Sequence, residues 1–244
     1  MADVLIAAAF VPSPPLLVPE LVGLATGETD ELRDAVSAAA SGVSDVQEWI
    51  VVGVGDADAD VESGAVGTFA GFGADVTVRL APGVGSAAPR PADPMMPLTG
   101  LIAGWLRGLT APHVHAEVHV LAADTTPSDC AAFGTALRAR IDGDRTPRAL
   151  LIVADGATTL TPKAPGSFDP RAGDVEATLA AALVGGDLAA LADLDPHVCA
   201  EIGLEGRAAW QTLAAVFGTP PSAVDVLYSD APYGVGYHVG TWRP

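Results

Sequence analysis

The chain of 244 residues predicts an α/β fold: a single domain with a mixed, mostly parallel central sheet flanked by helices. Three observations carry this expectation. Short continuous apolar runs at 4–11, 49–54 and 150–153 have the length and composition of strands covered on both faces. Segments with apolar residues at helical spacing alternate with them, as at 29–42, 98–109 and 126–141. No internal repeat or low-complexity linker interrupts the alternation, so residues 1–244 read as one domain.

Residues 4–11 form the first buried strand, closed by Pro12. The turn that follows reads Pro12-Ser13-Pro14-Pro15-Leu16-Leu17. Thr29 can cap a helix whose first turn holds Asp30 and Glu31; Leu32, Ala35, Val36, Ala39 and Ala40 line one face, and Gly42 ends it. The second strand, Trp49 to Val54, runs into Gly55-Asp56-Ala57-Asp58-Ala59-Asp60-Val61-Glu62. These alternating carboxylates lack the turn glycine and bidentate glutamate of a calcium loop, so the segment is expected to be a solvated acidic loop.

Residues 76–80 alternate as a short strand, and the Pro/Gly-rich connection at 81–94 is a candidate mobile lid or insertion. Leu98, Leu101, Ile102, Trp105, Leu106 and Leu109 define the next helix. In the run from His113 to Val120, period two puts His113, His115, Glu117 and His119 on one face. Donors at i and i+2 on a flat strand lie about 6–7 Å apart and do not all converge on one ion, so an edge strand with a solvated polar face is expected. Thr126 and Pro127 start a helix with Cys130, Phe133, Leu137 and Ile141 on its buried side.

Leu150 to Val153 then deliver the long polar loop 154–171, with Pro162, Pro165, Gly166 and Pro170. Ligands in open α/β sheets bind beyond the carboxyl ends of the strands, which makes this loop the first place to seek a site. Helices follow around 175–183, 188–194 and 208–217, and the segments 224–228 and 233–239 read as a closing hairpin.

Four stretches carry a resemblance: 12–17; 154–171, reading Ala154-Asp155-Gly156-Ala157-Thr158-Thr159-Leu160-Thr161-Pro162 and ending Phe168-Asp169-Pro170-Arg171; 186–196; and 232–237. Together the chain resembles the class III extradiol ring-cleavage dioxygenases, in the catalytic domain that they share with Memo-like proteins. The resemblance implies a site over the strand ends. In active relatives two histidines and a glutamate hold Fe(II), and a further histidine moves protons. Here Ser13 stands where the first histidine is expected, no histidine follows Val54, and Thr158 replaces the acid/base histidine. The resemblance implies Glu201 or Glu205 as the counterpart of the glutamate, while the residues by themselves read more readily as ordinary helix-surface carboxylates.

The expected protein is therefore a degenerate member of that family without catalytic iron and with no cofactor, retaining a pocket at Ser13, Asp56, Asp155, Thr158 and Glu201 for a small molecule or a partner protein. The alternative is an active metal-dependent ring-cleavage dioxygenase with a carboxylate-containing site. A serine hydrolase receives no support from the sequence, because no serine sits in a Gly-x-Ser-x-Gly elbow and His238 lies in an apparent strand without a visible companion.

The formal charge of −18, from 30 acidic against 12 basic residues, disfavours nucleic acid and anionic membranes as partners. The opening apolar run is short and lacks basic residues, so neither a secretory signal nor a membrane span is expected. Cys130 and Cys199 read as small buried groups of a reducing compartment, which places the expected protein in the cytoplasm, with an oligomer possible.

Overall fold

The computed structural model describes residues 4–23, 29–83 and 90–244. Part of the suggested lid at 81–94 therefore lies outside the described residues. The elements in chain order are β1 (Leu5–Val11), α1 (Pro19–Val22), α2 (Asp30–Ser41), β2 (Glu48–Gly55), β3 (Ala59–Val61), β4 (Val66–Thr68), β5 (Thr77–Arg79), α3 (Leu98–Thr110) and β6 (His115–Ala122). They continue as α4 (Pro127–Asp142), β7 (Arg148–Val153), α5 (Ala172–Gly185), α6 (Leu188–Ala192), α7 (Pro196–Glu201), α8 (Arg207–Phe217), β8 (Ala223–Asp230) and β9 (Tyr237–Arg243).

Seven strands form the main sheet in the order β3-β6-β2-β7-β1-β9-β8. The four central strands β6, β2, β7 and β1 are parallel, whereas β3 on one side and the β9–β8 hairpin on the other are antiparallel. This is a mixed, mostly parallel sheet flanked by helices in a single domain, as the alternation of apolar runs predicts. β4 and β5 pair separately as a two-stranded ribbon.

Period-two alternation divides the core between the two faces of the sheet. Ala7, Ala9, Val11, Trp49, Val51, Leu151 and Val153 pack with α2 and α3, while Leu5, Ala8, Phe10, Ile50, Val52, Leu150 and Ile152 pack with α4, α5 and α8. Phe10 meets Trp210 and Trp242 edge-on, at centroid distances of 6.0 and 6.2 Å. The indole donors of these large rings are satisfied by carbonyls: Trp49 donates to Val43 and Trp242 to Leu183.

Helix starts follow local chemistry. The Thr126 hydroxyl accepts from the Asp129 N–H at 3.2 Å with Pro127 in the first turn of α4, and Asp195 accepts from the N–H groups of His197 and Val198 at the start of α7.

Two expectations are corrected. β6 is not an edge strand, because the supposedly solvated acidic loop contributes β3, which pairs with it through Asp60 opposite His119. The polar face of β6 is accordingly not uniformly solvated: His113 and His115 are exposed, but His119 is buried, 2.6 Å from Asp60 and 3.2 Å from Arg140, which also clasps Glu117. Three residues reading Ala-Asp-Val have too short a pattern to announce a strand.

Cys130 and Cys199 are buried and free, and burial pushes both thiols up, Cys199 to about 11. Among the described residues no helix is long and apolar enough to cross a membrane.

Candidate functional site

The four parallel strands end on one edge of the sheet, and the loops leaving three of them meet over a cavity of about 430 Å³. Ser13 comes from the turn after β1, Asp56 from the loop after β2, and Asp155 and Thr158 from the loop after β7. The segment before α8 closes the remaining side with Gly203 and Glu205. Of the five sequence-predicted residues, Ser13, Asp56, Asp155 and Thr158 are brought together. Glu201 is not.

Ser13 is held to Asp155 by two hydrogen bonds. Its backbone N–H donates to Asp155 Oδ1 at 2.8 Å, and its hydroxyl donates to Oδ2 at 2.5 Å. Proline on both sides of the serine fixes the turn so that both donors reach one carboxylate. Burial pushes the Asp155 carboxyl up to about 6; the Ser13 bonds pull it down, and the negative charges of Glu176 and Glu205 push it further up. The carboxyl group thus titrates in a range useful for proton transfer.

Glycines let the backbone come close around this pair. Gly206, just before α8, leaves no room for a Cβ against the Asp155 carbonyl oxygen, which also accepts the Trp210 indole N–H at 3.2 Å. Gly203 has φ of 67°, in the left-handed region, and a Cβ there would run into the Thr158 hydroxyl. Thr158 is fixed by its N–H bond to the Ile202 carbonyl at 3.2 Å.

Behind the loop sits a second acid that the sequence reading missed. Glu176 reaches from α5 into a space left by Gly156 and Gly236, where any Cβ would overlap its carboxylate. Its Oε2 accepts the Ala157 N–H at 2.8 Å, and its Oε1 lies 2.8 Å from His238 Nε2. His238 Nδ1 in turn lies 3.0 Å from the Ser229 hydroxyl. The histidine read as having no companion therefore has two, brought together from α5, β8 and β9. The signal available beforehand was the pair of glycines, Gly156 just after β7 and Gly236 just before β9, which mark close approach.

Glu201 is corrected to a surface position. At the end of α7 it accepts from Arg171 at 2.5 Å, and the same guanidinium holds Asp169, so the Asp-Pro-Arg stretch is used to tie the loop to α7. The left-handed turn at Gly203 redirects the chain, and Glu205 is the glutamate that lines the cavity.

Among the described residues, the cavity's functional side chains offer carboxylate and hydroxyl oxygens but no imidazole, guanidinium or ammonium group. Both oxygens of Asp155 already accept from Ser13. This donor set does not fit an Fe(II) centre of two histidines and one carboxylate. Among the described residues no group of three or more His, Cys, Asp or Glu side chains is arranged to hold a metal ion.

No protein-family model and no curated protein matches the chain. Among solved structures, the uncharacterized protein JW3007 from Escherichia coli K12 is similar, with 11% sequence identity and a TM-score of 0.51, over 97% of this chain and 99% of that one. At that identity the likeness shows the fold alone, and it agrees with a single α/β domain.

Proposed function

We propose that this chain is a degenerate relative of the class III extradiol dioxygenases whose strand-end cavity binds a small cationic molecule, without catalytic iron. The observation that carries the reading is the Ser13–Asp155 lock. A hydroxyl and an N–H occupy a carboxylate at the strand end where the resemblance leads one to expect a metal-binding imidazole.

Further support comes from size and charge. A cavity of about 430 Å³ falls within the range of roughly 300–1,000 Å³ of small-molecule pockets. Asp56, Asp155 and Glu205 supply its charged groups, without a basic side chain among the lining residues, in a chain of formal charge −18. Such a lining attracts ammonium groups and repels carboxylates and phosphates. Asp155 sits where it can exchange a proton with a bound amine.

The second reading, metal-dependent ring cleavage through carboxylates, draws on Asp56 and Glu205 lining one cavity. An all-oxygen donor set suits Mg or Mn better than Fe(II), which ranks that reading below the first.

Two measurements on the intact chain decide between them. Elemental analysis after anaerobic incubation with Fe(II) is expected to leave iron far below one equivalent. A thermal-shift comparison is expected to show stabilisation by primary and quaternary amines but not by matched carboxylates, with the effect lost in Asp56→Asn combined with Glu205→Gln. Near-stoichiometric iron accompanied by catechol turnover would put ring cleavage first.

A further inference from the structure

Away from the cavity mouth, one cluster joins an exposed hydroxyl to a buried imidazole and a buried carboxylate. Ser229 on β8 and His238 on β9 are directly opposed in the antiparallel register. A bulge between Val226 and Tyr228 adds one residue to β8. Strict alternation would place Ser229 on the face opposite Val226; the extra residue turns it to the same face, toward His238 and α5.

The order of contacts is the one that activates a hydroxyl. Glu176 Oε2 is engaged by the Ala157 N–H, which leaves Oε1 for His238 Nε2. An ionised carboxylate only accepts hydrogen bonds, so the ring proton of a neutral imidazole belongs on Nε2. The lone pair on Nδ1 then faces the Ser229 hydroxyl at 3.0 Å. His238 and Glu176 are 3% and 9% exposed, so the base and the acid are shielded while Ser229 is an exposed residue.

We propose that Ser229, His238 and Glu176 form a nucleophilic triad at the edge of the sheet that accepts short acyl groups from activated esters. Ser229 Oγ attacks the ester carbonyl carbon as its proton passes to His238 Nδ1. The bond from that carbon to the alcohol oxygen breaks, and the alcohol leaves with the proton from His238. Water then attacks the acyl-serine by the same route, releasing a carboxylic acid and restoring the hydroxyl. Glu176 acts as a positioning residue, holding the tautomer and balancing the imidazolium. β8 is the outermost strand of the sheet among the described residues, and the outward edge of such a strand is where backbone N–H groups can meet a developing oxyanion. The open setting of Ser229 suits a short acyl chain rather than a long one.

The test uses the full chain and a fluorophosphonate probe, followed by peptide mapping, with p-nitrophenyl acetate hydrolysis as a second readout. An adduct is expected on wild-type Ser229 and is absent in Ser229→Ala, an exposed change that leaves Glu176 and the cavity in place. Glu176→Gln is the diagnostic variant. Its amide NH₂ donates to Nε2, which moves the ring proton to Nδ1 and removes the base without emptying the site. Labelling of Ser229 is then expected to slow by about 10²-fold or more, with circular dichroism melts checking that the variant is folded. Absence of an adduct on wild-type Ser229, or an adduct forming as fast in Glu176→Gln, overturns the triad.

Discussion

Two carboxylates flank Gly156 and are held by different chemistry. Asp155, immediately before it, faces the cavity and, among the described residues, accepts from the neutral donors of Ser13. Glu176, packed where a Gly156 side chain would be, is buried and contacts His238, an ionisable partner. The difference teaches how position sets role. A carboxylate that faces a cavity and takes neutral donors can still exchange a proton there, whereas one buried among packed groups needs hydrogen-bond donors for both of its oxygens.

The first expected effect breaks the sealed pair. His238→Ala leaves Glu176 in the interior with the Ala157 N–H as its hydrogen-bond donor among the described residues, and losing a hydrogen bond to a buried carboxylate costs about 1.5–3 kcal/mol. Urea unfolding at neutral pH checks this. A loss under about 1 kcal/mol would mean that water reaches Glu176 and that the two carboxylates are less different than their surroundings indicate.

The next effect concerns the cavity-facing carboxylate and has a definite sign. Folding raises the Asp155 carboxyl from its ordinary 3.8 to about 6, chiefly by burial. The folded chain therefore binds this proton more tightly than the unfolded chain. Stability from this group is fully present below the unfolded value and falls as pH rises through about 6, where the carboxyl ionises. Asp155→Asn keeps an oxygen for the Ser13 N–H and removes that penalty. It is expected to stabilise the protein by about 2–3 kcal/mol at about pH 8, with the gain vanishing near pH 3.5. Urea titrations at the two pH values measure it, and an equal gain at both would assign the effect to packing.

The cavity-facing side of this comparison was legible in the sequence, and the sealed side was not. Apolar runs ending in Pro12, Gly55 and Asp155 place three loops at one edge of a parallel sheet, so Ser13, Asp56, Asp155 and Thr158 gather by topology alone. Glu176 sits in an alanine-rich helix and His238 in a strand 62 positions away, and no local pattern encodes a pairing across that separation. The bulge that turns Ser229 toward His238 is likewise invisible to period-two counting, since it is one added residue. The choice between Glu201 and Glu205 turned on Gly203: its left-handed backbone ends α7 in a turn between the two glutamates, and sequence spacing does not say on which side of that turn the cavity lies.

That choice yields the smallest expected effect and the sharpest control on the cavity. Glu201 is a surface partner of Arg171, and both side chains are at least half exposed, at 60% and 50%. Exposed pairs of this kind are screened by water and add little, and Arg171 retains Asp169 when Glu201 is lost, so Glu201→Gln is expected to leave the urea unfolding midpoint unchanged. Its amine-induced thermal shift should equal that of the unaltered chain, because Glu201 is not among the residues that line the cavity and its carboxylate is turned to Arg171. Glu205→Gln is the paired measurement: a similar surface carboxylate by exposure, yet one whose loss should weaken amine binding. If both variants bind amines equally well, the charge of Glu205 does not reach the ligand, and the recognition of a cation rests on Asp56 and Asp155 alone.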